Sequence, residues 1–380
     1  MRVAIFEPFG NLYGSERSLL DLLSALPRDE ATPVVYCPKG APWIAELERR
    51  GVRYAARFQR DLHLRSRVRR VGALLKFTSF LLRERIDLIH ANQTGAAPYA
   101  LVAGSLLRLP VVVHARWPED DQAINSWTKG VAALRAVICT SEYQRASIAA
   151  RAKVSPEKIV LVRNPYRCML DREAFLFQQS TQPLFVCPAR IHPLKRQDLL
   201  LAAAKIYLDR HGPCTIRFLG DEAQGSGFLD ALREQAYAAG IDRHLEFLGY
   251  VRDVHAHLSE AAAMVLPTQF EAVGRVVFEA WDAGTIPIAW RESGGPAEII
   301  DGSRGGILYS EQKPEALAGA MHEAASLSAA TRAEMTARGL CWLEQNCAPE
   351  EHARKILSVW QDALSGSSSE LGHANSGVCA

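Results

Sequence analysis

Short apolar runs rich in β-branched residues alternate with stretches of helical periodicity from one end of the chain to the other. That alternation narrows the architecture more than any other feature, because it is the pattern of an α/β protein built on parallel sheets. Strands are expected at residues 3–6, 33–37, 88–90, 111–114 and 136–140 in the first half, with helices at 16–25, 66–85 and 95–107. In the second half the expected strands are 184–187, 215–219, 245–248, 264–266, 286–289 and 307–309, with helices at 197–210, 227–239 and 274–283. Two amphipathic helices, 329–345 and 349–364, follow.

At 380 residues the chain is longer than one hydrophobic core usually holds, so two domains are expected. The pattern lapses into polar residues from Asn164-Pro165 to Pro183, which places the domains at 1–167 and 168–346. The tail, 365–380, lacks the apolar residues that offset the entropy of ordering and is expected to be disordered. With 48% hydrophobic and 23% charged residues the composition is that of a soluble globular protein. No apolar run reaches membrane-spanning length, and Met1-Arg2-Val3-Ala4-Ile5-Phe6-Glu7 is charged too soon for a signal peptide. Eight cysteines show no Cys-x-x-Cys spacing, and Cys37 and Cys187 fall in apolar strands, so they read as reduced core residues in a cytosolic protein.

The net charge of +2 conceals an asymmetry. Residues 1–167 hold 26 Lys+Arg against 15 Asp+Glu, which leaves 18 against 27 for 168–380, so the two parts stand at +11 and −9. Between Arg49 and Arg85, twelve basic residues face only Asp61 and Glu84. Such a stretch is either a solvated basic face or a surface for an anionic partner: a membrane, a lipid phosphate or nucleic acid. Nucleic acid is disfavoured, because no recognised binding motif or aromatic interleaving accompanies the charge.

The chemistry concentrates in Phe270-Glu271-Ala272-Val273-Gly274-Arg275-Val276-Val277-Phe278-Glu279-Ala280 and in Ser293-Gly294-Gly295-Pro296-Ala297-Glu298. Glu271 is expected in the loop before a helix that starts near Gly274, and Glu279 about a turn and a half inside it, roughly 7–8 Å along the axis from Gly274. A helix start offers unpaired N–H groups and the positive end of the dipole, a seat for phosphate. A carboxylate on either side can then accept hydrogen bonds from sugar hydroxyls, which is a layout for gripping a nucleotide sugar. Arg190 and Lys195 follow the strand at 184–187 on a loop that opens a helix. A planar fork and a point charge placed there can converge on a diphosphate.

With Val265-Leu266-Pro267-Thr268 before them and Ala283-Gly284-Thr285-Ile286-Pro287 between, these motifs resemble the retaining glycosyltransferases of the GT-B fold, glycosyltransferase family 4 in particular. The resemblance runs to about residue 364 and is strongest over 185–310. It implies an α/β protein of two Rossmann-like domains facing each other across a cleft, with the helix at 347–364 crossing back to the first. It implies that Glu271 contacts the donor sugar and Glu279 the ribose, with Ala272, Val273, Gly274 and Arg275 between them in the donor site. Arg190 and Lys195 would hold the donor diphosphate, and the turns at Gly220-Asp221 and Gly249-Tyr250-Val251 would wall the base pocket. The loop Gly10-Asn11-Leu12-Tyr13-Gly14-Ser15-Glu16-Arg17 keeps Gly14 and Glu16 of the family's first turn, with Tyr13 where a glycine falls. Gly14 is expected against donor phosphate or acceptor, and Ser15 is a candidate N-cap.

His90 and His114 end strands whose carboxyl ends face the ligand side of an open α/β sheet. The family has a first-domain histidine beside the donor sugar, and His114 is the better match; a hydrogen-bonded core histidine is the other reading of both. Arg116 is a candidate reader of an acceptor phosphate or carboxylate. Ala189 stands for the family's glycine before the arginine, Ala272-Val273 for Gly-Phe, and Trp281-Asp282 for smaller residues. The last two changes bear on the shape of the donor pocket.

The resulting expectation is a retaining hexosyltransferase that moves a sugar from a nucleoside diphosphate to an acceptor hydroxyl in cell-surface polysaccharide or glycolipid assembly. The acceptor would be a sugar, lipid-linked or polyanionic, and the enzyme cytoplasmic and peripheral to the inner face of the membrane. No Asp-x-Asp motif lies near a strand end, so neither metal nor cofactor is expected. The alternatives are a GT-B sugar-nucleotide epimerase, a phosphorylase-like enzyme, for which no pyridoxal-phosphate lysine can be placed, or a non-catalytic assembly protein on the same fold.

Overall fold

A computed structural model of the chain describes residues 1–10, 12, 14–58, 67–117, 119–127, 131–168, 182–223 and 225–366. Tyr13, Asp61, the polar join at 169–181 and the tail from 367 lie outside the described residues. The chain divides into two compact units, one of Met1–Arg167 with the residues from Cys347, the other of Cys168–Asn346.

The first unit runs β1 (Arg2–Phe6), α1 (Gly14–Ala25), β2 (Thr32–Pro38), α2 (Ile44–Arg49), β3 (Arg53–Phe58), α3 (Arg67–Arg83), β4 (Leu88–Ala91), α4 (Ala97–Leu107), β5 (Val111–His114), α5 (Asp120–Trp127), β6 (Leu134–Cys139), α6 (Glu142–Arg151) and β7 (Ile159–Leu161). Its seven strands are parallel in the order β3-β2-β1-β4-β5-β6-β7. The second unit runs β8 (Leu184–Pro188), α7 (Gln197–His211), β9 (Thr215–Leu219), α8 (Phe228–Ala238), β10 (Leu245–Phe247), α9 (Val254–Ser259), β11 (Ala263–Leu266), α10 (Val276–Asp282), β12 (Pro287–Trp290), α11 (Gly295–Ser303), β13 (Ile307–Tyr309), α12 (Pro314–Ser326) and α13 (Ala329–Cys347). Its six strands are again parallel, in the order β10-β9-β8-β11-β12-β13. The last helix, α14 (Pro349–Ser365), belongs to the first unit.

Both sheets therefore have the Rossmann-like order in which the first and fourth strands of the unit are neighbours and the connections diverge on either side. The strands are apolar on consecutive residues because both faces are covered. In β1, Val3 and Ile5 join one core and Ala4 and Phe6 another, the period-2 alternation of a strand. The Val3 side is closed by Leu19, Leu20, Leu22 and Leu23 of α1 and by Ile356, Val359 and Trp360 of α14. The Phe6 side is closed by Phe77, Phe80 and Leu81 of α3 and by α4.

The seven described cysteines are free, and burial pushes the thiols of Cys37, Cys187 and Cys214 up to about 12. No described helix is long and apolar enough to cross a membrane.

Candidate functional site

In the second unit the strand order reverses between β8 and β11. The chain leaving β8 passes Arg190 and enters a short 3-10 turn, Pro193–Lys195, started by His192, whose side chain accepts from the Leu194 N–H. The chain leaving β11 passes Thr268 and reaches Glu271. The two loops join through Gln269 N–H to Leu194 carbonyl at 3.3 Å and through an ion pair of Lys195 Nζ with a Glu271 carboxylate oxygen. Both side chains of that pair are partly open, at 17% and 27% exposure. Arg190 is exposed, and its carbonyl accepts from Gln197 Nε2 at 2.9 Å, which pins the loop to the start of α7.

Glu271 is held on its other side by the glycine motif. Its N–H donates to the Ser293 carbonyl and its carbonyl accepts from Gly295 N–H, each at 3.0 Å, a parallel bridge one residue long. The approach is so close that a Cβ on Gly295 would lie 2.3 Å from the Ala272 carbonyl oxygen. Gly274 has φ +73°, and a Cβ there would lie 2.6 Å from Pro296. These contacts explain why the glycines stand where they do. The helix expected from Gly274 begins only at Val276 and is seven residues long, because Gly274 turns left-handed and Arg275 is the cap. The start of α11, at Gly295, lies against the same loop. Ala272 and Val273 are buried, and Glu279 faces Arg275 at 3.9 Å with both side chains about 15% exposed.

The turns after β9 and β10 form a connected rim. Gly220 N–H donates to the Gly249 carbonyl at 2.7 Å, the Asp221 carboxylate accepts from Tyr250 N–H at 2.8 Å, and the Asp221 carbonyl accepts from Ile191 N–H at 3.0 Å. Val251 follows, partly buried, and the Tyr250 side chain is 46% exposed. Trp281, expected to bear on the donor pocket, points elsewhere. Its indole donates to the Gly305 carbonyl at 2.7 Å, and its ring packs where a Cβ on Gly339 would intrude.

The first unit has its own reversal, between β1 and β4, and fills it differently. Glu7, directly after β1, is fully buried and accepts from Phe9 N–H, Asn92 Nδ2 and Gln93 Nε2 at 2.9, 2.6 and 3.0 Å. Burial raises its carboxyl group, and burial together with the Glu7 charge pushes Glu16 up to about 7. Gly14 is the first residue of α1 rather than the residue before it, so Ser15 is inside the helix and not its N-cap; its hydroxyl donates to Glu16. His114 is fully buried, stacked on His90 with ring centroids 5.6 Å apart, and its Nδ1 meets Arg116 Nη2 at 3.2 Å. His90 Nδ1 accepts from the Trp360 indole at 3.1 Å. Burial holds His114 well below the usual imidazole range and His90 at about 3, so both rings are neutral near pH 7. Arg116 is turned inward, donating to the Asn92 carbonyl and side chain and to Asn164.

The Glu7–Asn92–Gln93 cluster was missed in the sequence, although a carboxylate and two amides directly after two apolar strands are a legible signal. The Lys195–Glu271 contact was missed because those residues lie 76 apart.

Residues 13–168 match the family described as Glycosyltransferase Family 4, and residues 171–340 match Glycosyl transferases group 1. A GDP-mannose-dependent alpha-(1-6)-phosphatidylinositol monomannoside mannosyltransferase of Mycobacterium tuberculosis is 27% identical over 178 residues, 43% of this chain and 45% of that protein. A D-inositol 3-phosphate glycosyltransferase of Streptomyces griseus is 32% identical over 152 residues, 38% of this chain and 31% of that protein. The chain thus spans less than half the length of these relatives. Among solved structures, Anabaena Alr3699/HepE in complex with UDP-glucose superposes with a TM-score of 0.79 at 18% identity, covering 95% of this chain and 100% of that one. A glycosyltransferase from Rickettsia africae reaches a TM-score of 0.77 at 16% identity, over 96% and 99% of the two chains. The fold is GT-B.

Proposed function

We propose, for a chain whose two halves belong to the Glycosyltransferase Family 4 and Glycosyl transferases group 1 families, that it is a retaining glycosyltransferase using a nucleoside-diphosphate sugar. The observation that carries this reading is the meeting of Lys195 and Glu271 at the sheet reversal of the second unit, beside the Gly274 and Gly295 turns. A diphosphate drawn to Lys195 and Arg190 competes with the Glu271 carboxylate for the ammonium group. Its arrival releases Glu271 to accept hydrogen bonds from the donor sugar. Glu279 takes the ribose hydroxyls, and the rim of Gly220, Tyr250 and Val251 takes the base.

In this reading the acceptor hydroxyl attacks the sugar carbon on the face the diphosphate leaves. Its proton passes to the leaving phosphate oxygen, while Arg190 and Lys195 stabilise the developing charge. Positioned charges at a leaving group contribute about 3 kcal/mol each. His114 is neutral, and its buried Nε2–H has no hydrogen-bond partner among the described residues. The absence of an Asp-x-Asp motif supports transfer without a divalent metal. The relatives' names support a role in glycolipid or cell-surface polysaccharide assembly.

The test is thermal stabilisation by UDP, GDP and ADP and their sugar conjugates, with chelator present, for the wild type and Glu279→Ala. Ligand at about 100 times its dissociation constant adds about 2.7 kcal/mol. A shift with one nucleotide, lost in the variant, is expected; no shift with any of them removes the reading.

A peripheral membrane role has support of its own. On α3 the side chains of Val68, Val71, Leu75 and Leu82 are 56–81% exposed and fall on one face, and exposed Arg69, Lys76 and Arg83 recur every seven residues along its edge. An apolar stripe edged by cations suits an anionic bilayer surface. Equal sedimentation with neutral and anionic vesicles at physiological salt would remove this role.

A further inference from the structure

We propose that the groove beside α4 of the first unit seats one acyl chain of an anionic lipid. The proposal rests on the peripheral membrane role and adds a binding site to it. A single lipid chain leaves the bilayer and lies in the protein, beyond the contact that a helix makes by resting on the surface.

The groove has a volume of about 450 Å³. Leu101, Val102 and Leu106 line it from α4, Ser126 from the last turn of α5, and Val131 from the segment beyond. No charged side chain lines it, and the Ser126 hydroxyl already donates to the Ala123 carbonyl at 2.7 Å. At roughly 30 Å³ for a group the size of a water, the groove holds about fifteen such groups. A methylene is of similar size, so the space matches the bulk of one aliphatic chain.

Floor and rim differ. Leu101 belongs to the core on the Phe6 side of the sheet, and Val131 packs against that core. Val102 and Leu106, one helical turn apart, are instead 46% and 66% exposed. The neighbouring helix, α3, lies against α4 on the same side of the sheet and carries the stripe of Val68, Val71, Leu75 and Leu82. Of the nine exposed Val and Leu side chains among the described residues, six therefore fall on α3 and α4. Such a concentration marks an interaction site, whereas single exposed aliphatics do not.

Charge selects the occupant. Neither α3 nor α4 contains an acidic residue. Arg108 is the left-handed cap of α4, two residues past Leu106. Its side chain and those of Arg69, Lys76 and Arg83 on α3 are exposed and have no ion-pair or hydrogen-bond partner among the described residues. A second copy of this chain on the same face would set these cations against one another across a two-fold interface. An anionic headgroup meets them with opposite charge, and its chain finds the groove. Transfer of methylenes from water then adds to the electrostatic attraction.

The test is calorimetric titration of the full chain with monomeric hexyl, octyl and decyl phosphate, with inorganic phosphate as the probe of charge alone. Wild type should bind one equivalent, and affinity should rise by about fourfold for each methylene that becomes buried. Inorganic phosphate should not compete. Val102→Trp fills the groove and should lower octyl phosphate affinity tenfold or more, while sedimentation with anionic vesicles persists. Leu106→Glu charges the same groove and must show the same loss of octyl phosphate affinity, so the test stands if the tryptophan variant does not fold. Leu75→Glu should do the reverse, weakening vesicle binding and leaving octyl phosphate affinity unchanged. Affinity independent of chain length, or undiminished in both groove variants, overturns the proposal. Dimerisation of the wild type that Val102→Trp abolishes would assign the groove to a second copy and overturn it too. Equal sedimentation of wild type with neutral and anionic vesicles removes the membrane role instead.

Discussion

The two sheets share one strand order, with the reversal between the first and fourth strands of each unit, yet the residues that gather at the two reversals are opposite in kind. In the second unit they are partly exposed and carry separate charges: Lys195 beside Glu271, Arg275 beside Glu279, with glycines clearing the backbone between them. In the first unit they are bonded to one another and, Arg116 apart, buried: Glu7 to Asn92 and Gln93, Arg116 to Asn92 and Asn164, with neutral His90 and His114 beneath. Topology supplies the crevice, and the residues just past the strand ends decide what it can hold. Open charges that can exchange partners suit an anion.

The contrast is broken most severely by Lys195→Ala, expected to lower the transfer rate by about 10²–10³-fold while unfolding changes little, as steady-state kinetics beside a melting curve will show. Gly295→Ala comes next. Its Cβ would lie 2.3 Å from the Ala272 carbonyl oxygen, so denaturant unfolding should show a loss of about 3 kcal/mol. Asn92→Ala strikes the first unit, removing a donor to the buried Glu7 carboxylate and an acceptor for Arg116, at a cost of about 2 kcal/mol in the same measurement.

Glu16→Gln sharpens the comparison with the smallest effect. Folding raises this carboxyl group from 4.5 to about 7, so its contribution is fully present below the unfolded value and is lost as pH rises through 7. The glutamine variant should therefore melt higher than wild type at about pH 8, and the gap should close by about pH 5. A gap that stays constant with pH would mean that Glu16 is ionised throughout.

Much of this was legible in the chain. The central strands of both sheets were found because burial on two faces demands consecutive apolar residues, as in Val111-Val112-Val113. The strands overlooked were β3 and β7, the two edges of the first sheet. An edge strand pairs on one side only and tolerates the charges of Arg53-Tyr54-Ala55-Ala56-Arg57. The carboxylate–glycine–carboxylate loop was legible because its spacing is local, running from Glu271 to Glu279. The role expected of Trp281 was misplaced, since facing the interior or the loop depends on where α13 packs.

The sequence by itself determined that the chain is α/β, that its strands are parallel, and that a carboxylate–glycine–carboxylate loop and an Arg/Lys loop exist. Only the tertiary structure decided that Lys195 meets Glu271, that Glu7 is gripped by amides 85 and 86 residues away, and that Trp360 caps His90 across 270 residues. The reason is the crossover connection. Each helix returns the chain to a strand that can lie beside any earlier one, so which strand ends become neighbours follows from sheet order, and no local window of sequence contains it.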